Sequence, residues 1–269
     1  MSNEIKRLLK EHNLKPKKYL GQNFLIDKTT LGIIINAAEL ARDDVVLEIG
    51  PGLGILTKEL AKKVKRVVAV EKDKRLVKIL KKRLSCLANI KIIEGDVLKL
   101  TTENLKLKAN YKVVANLPYY ITSPVIRKFL EEKRVPKLMV LMVQKEVAKR
   151  ICAKPPKMSV LSVAVQFYSF PKIVKIVKKE CFWPKPKVDS AIVKLTTYNQ
   201  KLTTINTNLF FKIVKAGFSH PRKQLKNNLK KVLKEKTGKI LQRSNIKGVR
   251  RAETLSVNEW VKICLNLKN

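Results

Sequence analysis

The tetrapeptide Asn116-Leu117-Pro118-Tyr119 combines the residue types needed to hold a planar ring that carries an amine. It follows the apolar run 113–115, which is typical of a buried strand. The asparagine offers a hydrogen-bond acceptor, and the tyrosine offers a flat aromatic face. Because a residue before proline avoids the helical region, Leu117 stays extended and backbone carbonyls can face outward. The motif indicates binding of an amine-bearing ring at the end of a strand.

A second motif, Gly50-Pro51-Gly52-Leu53-Gly54, follows the apolar run Val45–Ile49 and precedes a helical pattern. Glycine is needed where the backbone turns sharply and comes close to a ligand. The spacing does not match the G-x-G-x-x-G of dinucleotide-binding proteins, because the third position would be Ile55 or Thr57. The observed G-x-G-x-G, preceded by Glu48, resembles the pattern of S-adenosylmethionine-dependent methyltransferases of the Rossmann-like class.

Two acids end the next predicted strands. Glu71 is placed to accept hydrogen bonds from both ribose hydroxyls of an adenosine, and Asp96 is placed to accept from the adenine amino group. Glu71 alone does not separate NAD from S-adenosylmethionine, and either acid alone equally fits a solvated loop or a helix cap. Their positions at the carboxyl ends of successive strands favour an adenosyl ligand, because open α/β sheets bind ligands there.

The elements that position these residues alternate between strand and helix. Apolar, β-rich runs predict strands, lysine-faced amphipathic runs predict helices, and their alternation predicts a mostly parallel, doubly wound α/β sheet. Two later runs, 166–177 and 190–195, are joined by the proline-rich loop Phe182-Trp183-Pro184-Lys185-Pro186 and predict an antiparallel addition to the sheet. The predicted strands are 45–49, 67–71, 90–93, 113–115 and 138–143, and the predicted helices between them are 53–65 and 73–86.

The pattern changes after about residue 199. Runs 209–216, 222–234 and 257–267 have helical spacing, and the polar stretch 198–208 predicts a junction. We therefore expect a catalytic domain over residues 1–199 and a small α-helical domain over residues 200–269.

The net charge of +38, from 59 Lys and Arg against 21 Asp and Glu, points to a polyanionic partner. One interpretation is a composition bias in which lysine fills solvated faces. The other is a broad nucleic-acid footprint, which dispersed cations favour because each neutralised phosphate adds affinity.

The cysteines are far apart, and with two histidines they form no metal-ligand spacing, so we expect reduced thiols and no metal. The first 18 residues lack a signal-peptide core and no run of 18 apolar residues occurs. These features predict a cytoplasmic protein with no membrane partner. We also expect a monomer.

Four further motifs accompany the two described above: Gly21-Gln22-Asn23-Phe24-Leu25, Phe182-x-Pro-x-Pro-x-Val188-Asp189-Ser190-Ala191, Arg222-Lys223-Gln224-Leu225-Lys226-Asn227-Asn228-Leu229 and Arg251-x-Glu253-x-Leu255-Ser256. In their order along the chain, the six motifs resemble those of the KsgA-type small-subunit ribosomal RNA adenine N6-dimethyltransferases, and they span nearly the whole chain. One departure is His220-Pro221, where that family usually has more polar or basic residues.

The resemblance implies S-adenosyl-L-methionine as cofactor, small-subunit rRNA in the assembling subunit as partner, and dimethylation of N6 of two adjacent adenines. For the reaction it implies that Asn116 and the carbonyl of Leu117 or Pro118 accept from N6, while Tyr119 and Phe182 enclose the base. Phe182 and Trp183 equally fit core packing. Gln22, Asn23, Leu25, Gly50, Gly52, Glu71, Asp96 and Asn116 are the implied cofactor residues, and Arg222, Lys223 and Lys226 are the implied RNA contacts.

Other functions stay open from the sequence. A large-subunit rRNA adenine methyltransferase of the macrolide-resistance type shares the core motifs, although the Gly-Pro-Gly-Leu-Gly turn and the 222–229 block favour the small-subunit family. A nucleic-acid-binding assembly or transcription factor with this fold is a non-enzymatic alternative, and intact Glu71, Asp96 and Asn116 argue against it. The charge disfavours a small-molecule methyltransferase.

Overall fold

The computed structural model describes residues 2–198 and 205–267. Within them the strands are β1 Phe24–Leu25, β2 Val45–Ile49, β3 Arg66–Glu71, β4 Ile90–Glu94, β5 Lys112–Asn116, β6 Leu138–Gln144, β7 Ser169–Val177, β8 Phe182–Trp183 and β9 Ser190–Thr197. The α-helices are α1 Ser2–Glu11, α2 Lys28–Ala37, α3 Ile55–Ala61, α4 Lys74–Arg83, α5 Thr122–Glu131, α6 Lys145–Ile151, α7 Val160–Tyr168, α8 Thr207–Gly217, α9 Leu225–Leu233, α10 Thr237–Arg243 and α11 Val257–Leu265.

Seven strands form one mixed sheet in the order β4-β3-β2-β5-β6-β9-β7. The pairs among β4, β3, β2, β5 and β6 are parallel, and β9 runs antiparallel to β6. From β2 the chain adds β3 and β4 on one side and then returns to place β5 on the other. Such a reversal opens a crevice at the carboxyl ends of β2 and β5, where ligands of open α/β sheets bind.

The predicted doubly wound sheet with an antiparallel strand is confirmed, and Val45–Ile49 has the predicted bounds. The β-rich interpretation of 166–177 was wrong at its start, because Gln166 to Tyr168 finish α7 and the strand begins at Ser169. A capping box, in which Ser159 and Ser162 bond each other's backbone N–H, starts that helix. Short apolar runs do not separate strand from helix by period alone, so this cap was the better signal.

The chain divides into two compact units, Met1–Ala148 with Pro171–Thr197, and Lys149–Phe170 with Tyr198 onward. The predicted division at residue 199 did not anticipate the first junction. Segment 149–170 belongs with the C-terminal helices because Met158, Val163 and Phe167 contribute to their apolar core. Most of the predicted junction, residues 199–204, lies outside the described residues.

The core of the first unit covers both faces of the sheet, and β2 and β5 are almost wholly buried. Helix α1, which sequence patterns did not predict, packs Ile5 and Leu9 against Phe24, Leu53 and Leu76. Since Leu53 belongs to the glycine turn, this N-terminal helix supports the turn from behind.

The second unit is helical and packs around Trp260, which is fully buried. Phe167 stacks on Phe210 with ring centroids 4.3 Å apart. Helix α9 begins at Leu225, three residues later than the pattern indicated, and α10 was not predicted. The helical character predicted for the C-terminal part is nevertheless what the structure has.

Candidate active site

The glycine turn has a backbone conformation that residues with a side chain rarely adopt. Gly50 and Gly52 have φ angles of +68° and +61°. A Cβ on Gly52 would lie 3.1 Å from the ring of Phe24, so this position combines left-handed backbone with no room for a side chain. The N–H of Gly50 donates to the Val70 carbonyl at 2.9 Å, which joins the turn to β3. The turn therefore presents bare backbone to the pocket.

Glu71 at the end of β3 is held by that same turn. Its Oε2 accepts from the N–H of Gly52 at 3.1 Å, and its Oε1 accepts from the N–H of Asp73 at 2.9 Å. The side chain is buried, and burial raises its pKa. Each carboxylate oxygen has two acceptor sites, so both oxygens keep capacity for a ligand hydroxyl. The structure places Glu71 on the pocket wall beside Gly50 and Gly52.

Glu48 is the most strongly perturbed acid on the pocket wall. It lies on β2, is fully buried, and its Oε2 has no hydrogen-bond partner. Burial raises its pKa to about 8, and the nearby Glu71 carboxylate adds to the rise. Burial therefore favours the neutral form of the Glu48 carboxyl. A buried, unpartnered oxygen on the wall of a pocket is a group that a polar ligand can satisfy.

Asp96 follows β4 and lines the same pocket. Lys72 Nζ lies 2.8 Å from its Oδ2, and the Leu98 N–H donates to its Oδ1 at 3.0 Å. The Lys72 hydrogen bond lowers the pKa of Asp96, so the carboxylate stays ionised. An ionised acceptor here is compatible with the amino group predicted to bind it.

Asn116 ends β5 next to the N-terminal segment. Its Nδ2 donates to the Asn23 carbonyl at 3.1 Å. Because only the amide nitrogen can donate to a carbonyl, this contact fixes the amide orientation and leaves Oδ1 as the outward acceptor. The Pro118 carbonyl accepts from the Ile121 N–H at 3.2 Å in the following turn. Of the two predicted carbonyl acceptors, that of Leu117 is not occupied by this turn.

The two aromatic residues predicted to enclose a base are both fixed in place. The Tyr119 hydroxyl lies 2.8 Å from Ser190 Oγ, and burial raises the pKa of the phenol. Phe182 in β8 pairs with Leu25 in β1, lines the pocket, and is only 3% exposed. Phe182 thus belongs to the apolar core as well as to the pocket wall, so the two interpretations open from the sequence both describe it.

Gln22 lines the pocket, but both ends of its amide are engaged within the protein. Oε1 accepts from the Lys17 N–H at 2.8 Å, and Nε2 donates to Asp73 Oδ2 at 3.1 Å. Burial alone would raise the pKa of Asp73, but hydrogen bonds from Arg75 and Gln22 outweigh it and lower that pKa. Gln22 therefore positions the segment that carries Asn23 and Leu25 by tying it to α4.

The predicted RNA contacts lie in the second unit, at the start of α9. Arg222, Lys223 and Lys226 are all exposed. The Lys226 N–H donates to the Gly248 carbonyl at 3.0 Å, so the loop at 248 lies beside α9. The buried Asn228 donates to the Gly217 and His220 carbonyls at 2.6 and 3.0 Å and holds the preceding loop. These contacts give the basic residues a rigid base.

The sequence did not predict a role for Asp73 or Ser190. It identified Glu48 only as part of the glycine-turn motif and not as a buried acid with a raised pKa. Asp73 stood two residues beyond Glu71 and reads as an ordinary helix N-cap, which it also is. Ser190 carried a signal, since it belongs to the Val-Asp-Ser-Ala motif, but nothing in that motif indicated its partner Tyr119. Among the described residues no cluster of His, Cys, Asp and Glu forms a metal site. No described helix has the length and apolarity to cross a bilayer.

The fold and the pocket define a Rossmann-like methyltransferase with a nucleotide-type binding site at the β2–β5 crevice. The model of the ribosomal RNA adenine dimethylase family matches residues 13–269, and the chain belongs to this family. Its methyl donor is S-adenosyl-L-methionine, as for the fold class.

Similar proteins agree with this assignment. "Ribosomal RNA small subunit methyltransferase A" of Dehalococcoides mccartyi is 45% identical over 97% of this chain and 92% of the relative. The protein of that name from Bacillus pumilus is 43% identical over 96% and 93%. A dimethyladenosine transferase from Plasmodium falciparum, a crystal structure, is 28% identical with a TM-score of 0.78 over 91% of this chain and 97% of its own. The crystal structure of the 23S rRNA methyltransferase ErmE is 27% identical with a TM-score of 0.76 over 92% and 100%.

Proposed function

We propose that the protein converts adenines of small-subunit ribosomal RNA to N6,N6-dimethyladenosine during assembly of that subunit. The observation that carries the proposal is the placement of Asn116-Leu117-Pro118-Tyr119 on β5 directly beside the glycine turn of β2. An acceptor for an amine and a backbone cradle for a nucleotide then meet in one crevice. The names of the relatives at 41–45% identity support the choice of the small subunit.

The methyl donor fits the groups on the pocket wall. It supplies an electrophilic methyl group on a sulfonium sulfur. The backbone of Gly50 and Gly52 would approach it closely, Glu71 would accept from its ribose, and the ionised Asp96 would accept from its adenine. Asn23 and Leu25 would close over its methionine end. The unpartnered Oε2 of Glu48 supports this assignment, because a polar ligand removes the cost of an unsatisfied buried oxygen.

The target nitrogen is activated by geometry. The lone pair of adenine N6 is delocalised into the ring, which makes the nitrogen a poor nucleophile. Asn116 Oδ1 and the Leu117 carbonyl would accept its two hydrogens out of the ring plane and favour a pyramidal nitrogen. With both acceptors in place, the N6 lone pair would be free to take the methyl group that the donor supplies, the electrons of the carbon–sulfur bond would leave with the neutral thioether, and N6 would release one proton to solvent. Orientation and exclusion of water carry most of the rate.

Tyr119 would stack on the base, and Phe182 would cover its other face, with aromatic stacking contributing about 1–3 kcal/mol per base. The hydrogen bond to Ser190 holds the Tyr119 ring at one orientation. A paired base cannot reach such a pocket, so the target adenine is unpaired or flipped. Dimethylation takes two turnovers, and after the first the remaining N6 hydrogen still has an acceptor.

The experiment is incubation of unmodified small subunits with the protein and S-adenosylmethionine, followed by mass spectrometry of the rRNA nucleosides. N6,N6-dimethyladenosine is the expected product. Parallel incubations use unmodified large subunits, because ErmE shares the fold. Methylation of the large subunit alone would transfer the proposal to that substrate. Donor binding without any methylated nucleoside would favour a non-catalytic RNA-binding role.

A further inference from the structure

Most aromatic side chains of the described residues are buried or half-buried, and only a few are largely exposed. Among the described residues, Tyr19, Tyr120, Phe170 and Tyr198 are the aromatic residues that are largely exposed. Tyr120 lines the active-site pocket, and Tyr19 directly precedes Leu20, which also lines it. Exposed aromatic rings beside a binding pocket indicate a ligand surface, because such rings otherwise gain by burial.

The two tyrosines are joined through Gly21. A Cβ on Gly21 would lie 3.6 Å from Tyr120 Cδ1 and 3.3 Å from Pro118 Cβ. The Tyr120 ring therefore lies against the backbone two residues after Tyr19. Tyr120 also directly follows Tyr119, the residue proposed to stack on the target base. Tyr19 is 73% exposed and Tyr120 is 54% exposed, so both rings keep a face open to solvent, Tyr120 on the pocket wall and Tyr19 one residue before the wall residue Leu20.

Cations surround these rings. Lys17 Nζ lies 5.7 Å from the centroid of the Tyr19 ring and 3.6 Å from Asp73 Oδ2. Lys72 Nζ lies 2.8 Å from Asp96 Oδ2, and about half of the Lys72 side chain is exposed to solvent. Asp96 raises the pKa of Lys72, and Lys72 lines the same pocket as Tyr120. Aromatic rings interleaved with cations are the usual composition of single-stranded nucleic-acid sites.

We propose that Tyr19 and Tyr120 form a stacking platform for the unpaired nucleotide next to the target adenine, with Lys17 and Lys72 beside its phosphate. The proposal deepens the proposed function and rests on it. When one base enters the pocket, its neighbours on the strand remain at the mouth, where these rings are. Of the expected partners of the methyl donor, Glu71 is buried, and Asp96, which Lys72 contacts at 2.8 Å, is the one that lies beside the platform.

The test pairs protein variants with modified RNA. Single-stranded oligonucleotides carry one target adenine with either neighbour replaced by an abasic site. Tyr120→Ala and Tyr19→Ala are expected to raise the KM for intact RNA about 5-fold to 100-fold, the range set by one stacked base. Their dissociation constants for S-adenosylmethionine should stay within about 2-fold of wild type. Tyr→Phe at either position should restore the wild-type KM, because stacking needs the ring and not the hydroxyl.

The abasic RNA supplies the decisive comparison. One neighbour's abasic form should weaken binding to wild type and have little further effect on Tyr120→Ala, since both changes remove the same stack. Tyr198→Ala removes an exposed tyrosine of the other unit and should behave as wild type. A parallel rise in the donor dissociation constant, or additive effects of variant and abasic site at both neighbours, would overturn the platform. Failure of the wild type to methylate any RNA would instead overturn the proposed function.

Discussion

The pocket of the first unit and the predicted RNA contacts of the second unit differ in burial and in how their charged groups are held. Glu48 and Glu71 on the pocket wall and Asp73 beside it are buried, and hydrogen bonds fix the carboxylates of Glu71 and Asp73 against backbone or side-chain donors. On the second unit, the predicted contacts Arg222 and Lys226 are exposed on a rigid helical base. The low dielectric of the pocket strengthens the electrostatic interactions of each buried group, whereas solvent and salt screen the interactions of each surface cation.

This difference implies two kinds of sensitivity. Removal of one pocket group should change rate or stability strongly, because nothing nearby replaces it. Removal of one surface lysine should change affinity slightly, because neighbouring cations still attract the same phosphates. Four groups of substitutions test the contrast.

The largest effect is expected at Asn116. Asn116→Ala removes the proposed acceptor for N6 and the hydrogen bond to the Asn23 carbonyl. The rate of methyl transfer should fall by about 100-fold to 1000-fold, as for loss of one preorganised group at a reacting centre. Binding of S-adenosylmethionine, measured by calorimetry, should be largely kept. Full activity of this variant would remove Asn116 from the mechanism.

The next effect is a change in pH dependence. Glu48 ionises near its ordinary pKa of 4.5 when unfolded and near 8 when folded. Between these values the folded state binds more protons, so stability falls as pH rises, by up to about 1.4 kcal/mol per pH unit. Glu48→Gln cannot titrate and should flatten the fall of the melting temperature between pH 5 and 8. Glu71, whose pKa is also raised, retains part of the slope.

Glu235→Gln is the matched control for that measurement. It changes an exposed acid of the second unit, where folding removes little water from the carboxylate. Its curve of melting temperature against pH should run parallel to that of wild type. If Glu48→Gln also ran parallel, Glu48 would be ionised in the folded protein and the contrast between the regions would be weaker.

A smaller effect is expected from the pair that orients the stacking ring. Ser190→Ala and Tyr119→Phe each delete one partner of the same 2.8 Å hydrogen bond. Each should lower kcat/KM for RNA about 5-fold, corresponding to about 1 kcal/mol for one hydrogen bond. The double variant should be little worse than either single variant. Independent, multiplying losses would show that Ser190 does not act through Tyr119.

The smallest effect is expected on the basic surface. Lys226→Ala, Lys223→Ala and Arg222→Ala should each weaken RNA binding a few-fold at about 0.1 M salt. Each should also lower the slope of log affinity against log salt by about 0.7–0.9 if that residue contacts a phosphate. Lys91→Ala, at an exposed position of β4, serves as the matched control. Unchanged slopes for all three variants would remove the start of α9 from the RNA contacts.

Much of the fold could be predicted from the sequence where local pattern and structure coincide. The strand Val45–Ile49 ends at Gly50 because an apolar run meets a glycine that alone tolerates the turn. Gln166 to Tyr168 were assigned to a strand, since a short apolar segment has no distinctive period. The N-terminal helix and α10 were not predicted.

The sequence predicted most of the residues that line the site, but not the hydrogen bonds that they make with one another. Gln22 was expected to face the cofactor, and the structure shows that its amide joins Lys17 to Asp73. The sequence marked Glu48 only as an acid two residues before the glycine turn. Its burial depends on the segments that pack over it. Hydrogen-bond partners far apart in the chain leave no spacing signal.

By itself, the sequence determined that an adenosyl-type turn, an amine-binding tetrapeptide and a large positive charge occur in one chain. These features are local, since each depends on residue type, spacing or composition. The tertiary structure alone decided that β5 returns beside β2, which brings Asn116 to the glycine turn. It also decided that Glu48 is buried, which raises the pKa of its carboxyl, and that the Tyr119 hydroxyl lies against Ser190 Oγ. Strand order and burial arise from contacts between segments that are distant in the chain, and the free energy of those contacts cannot be derived from any single segment.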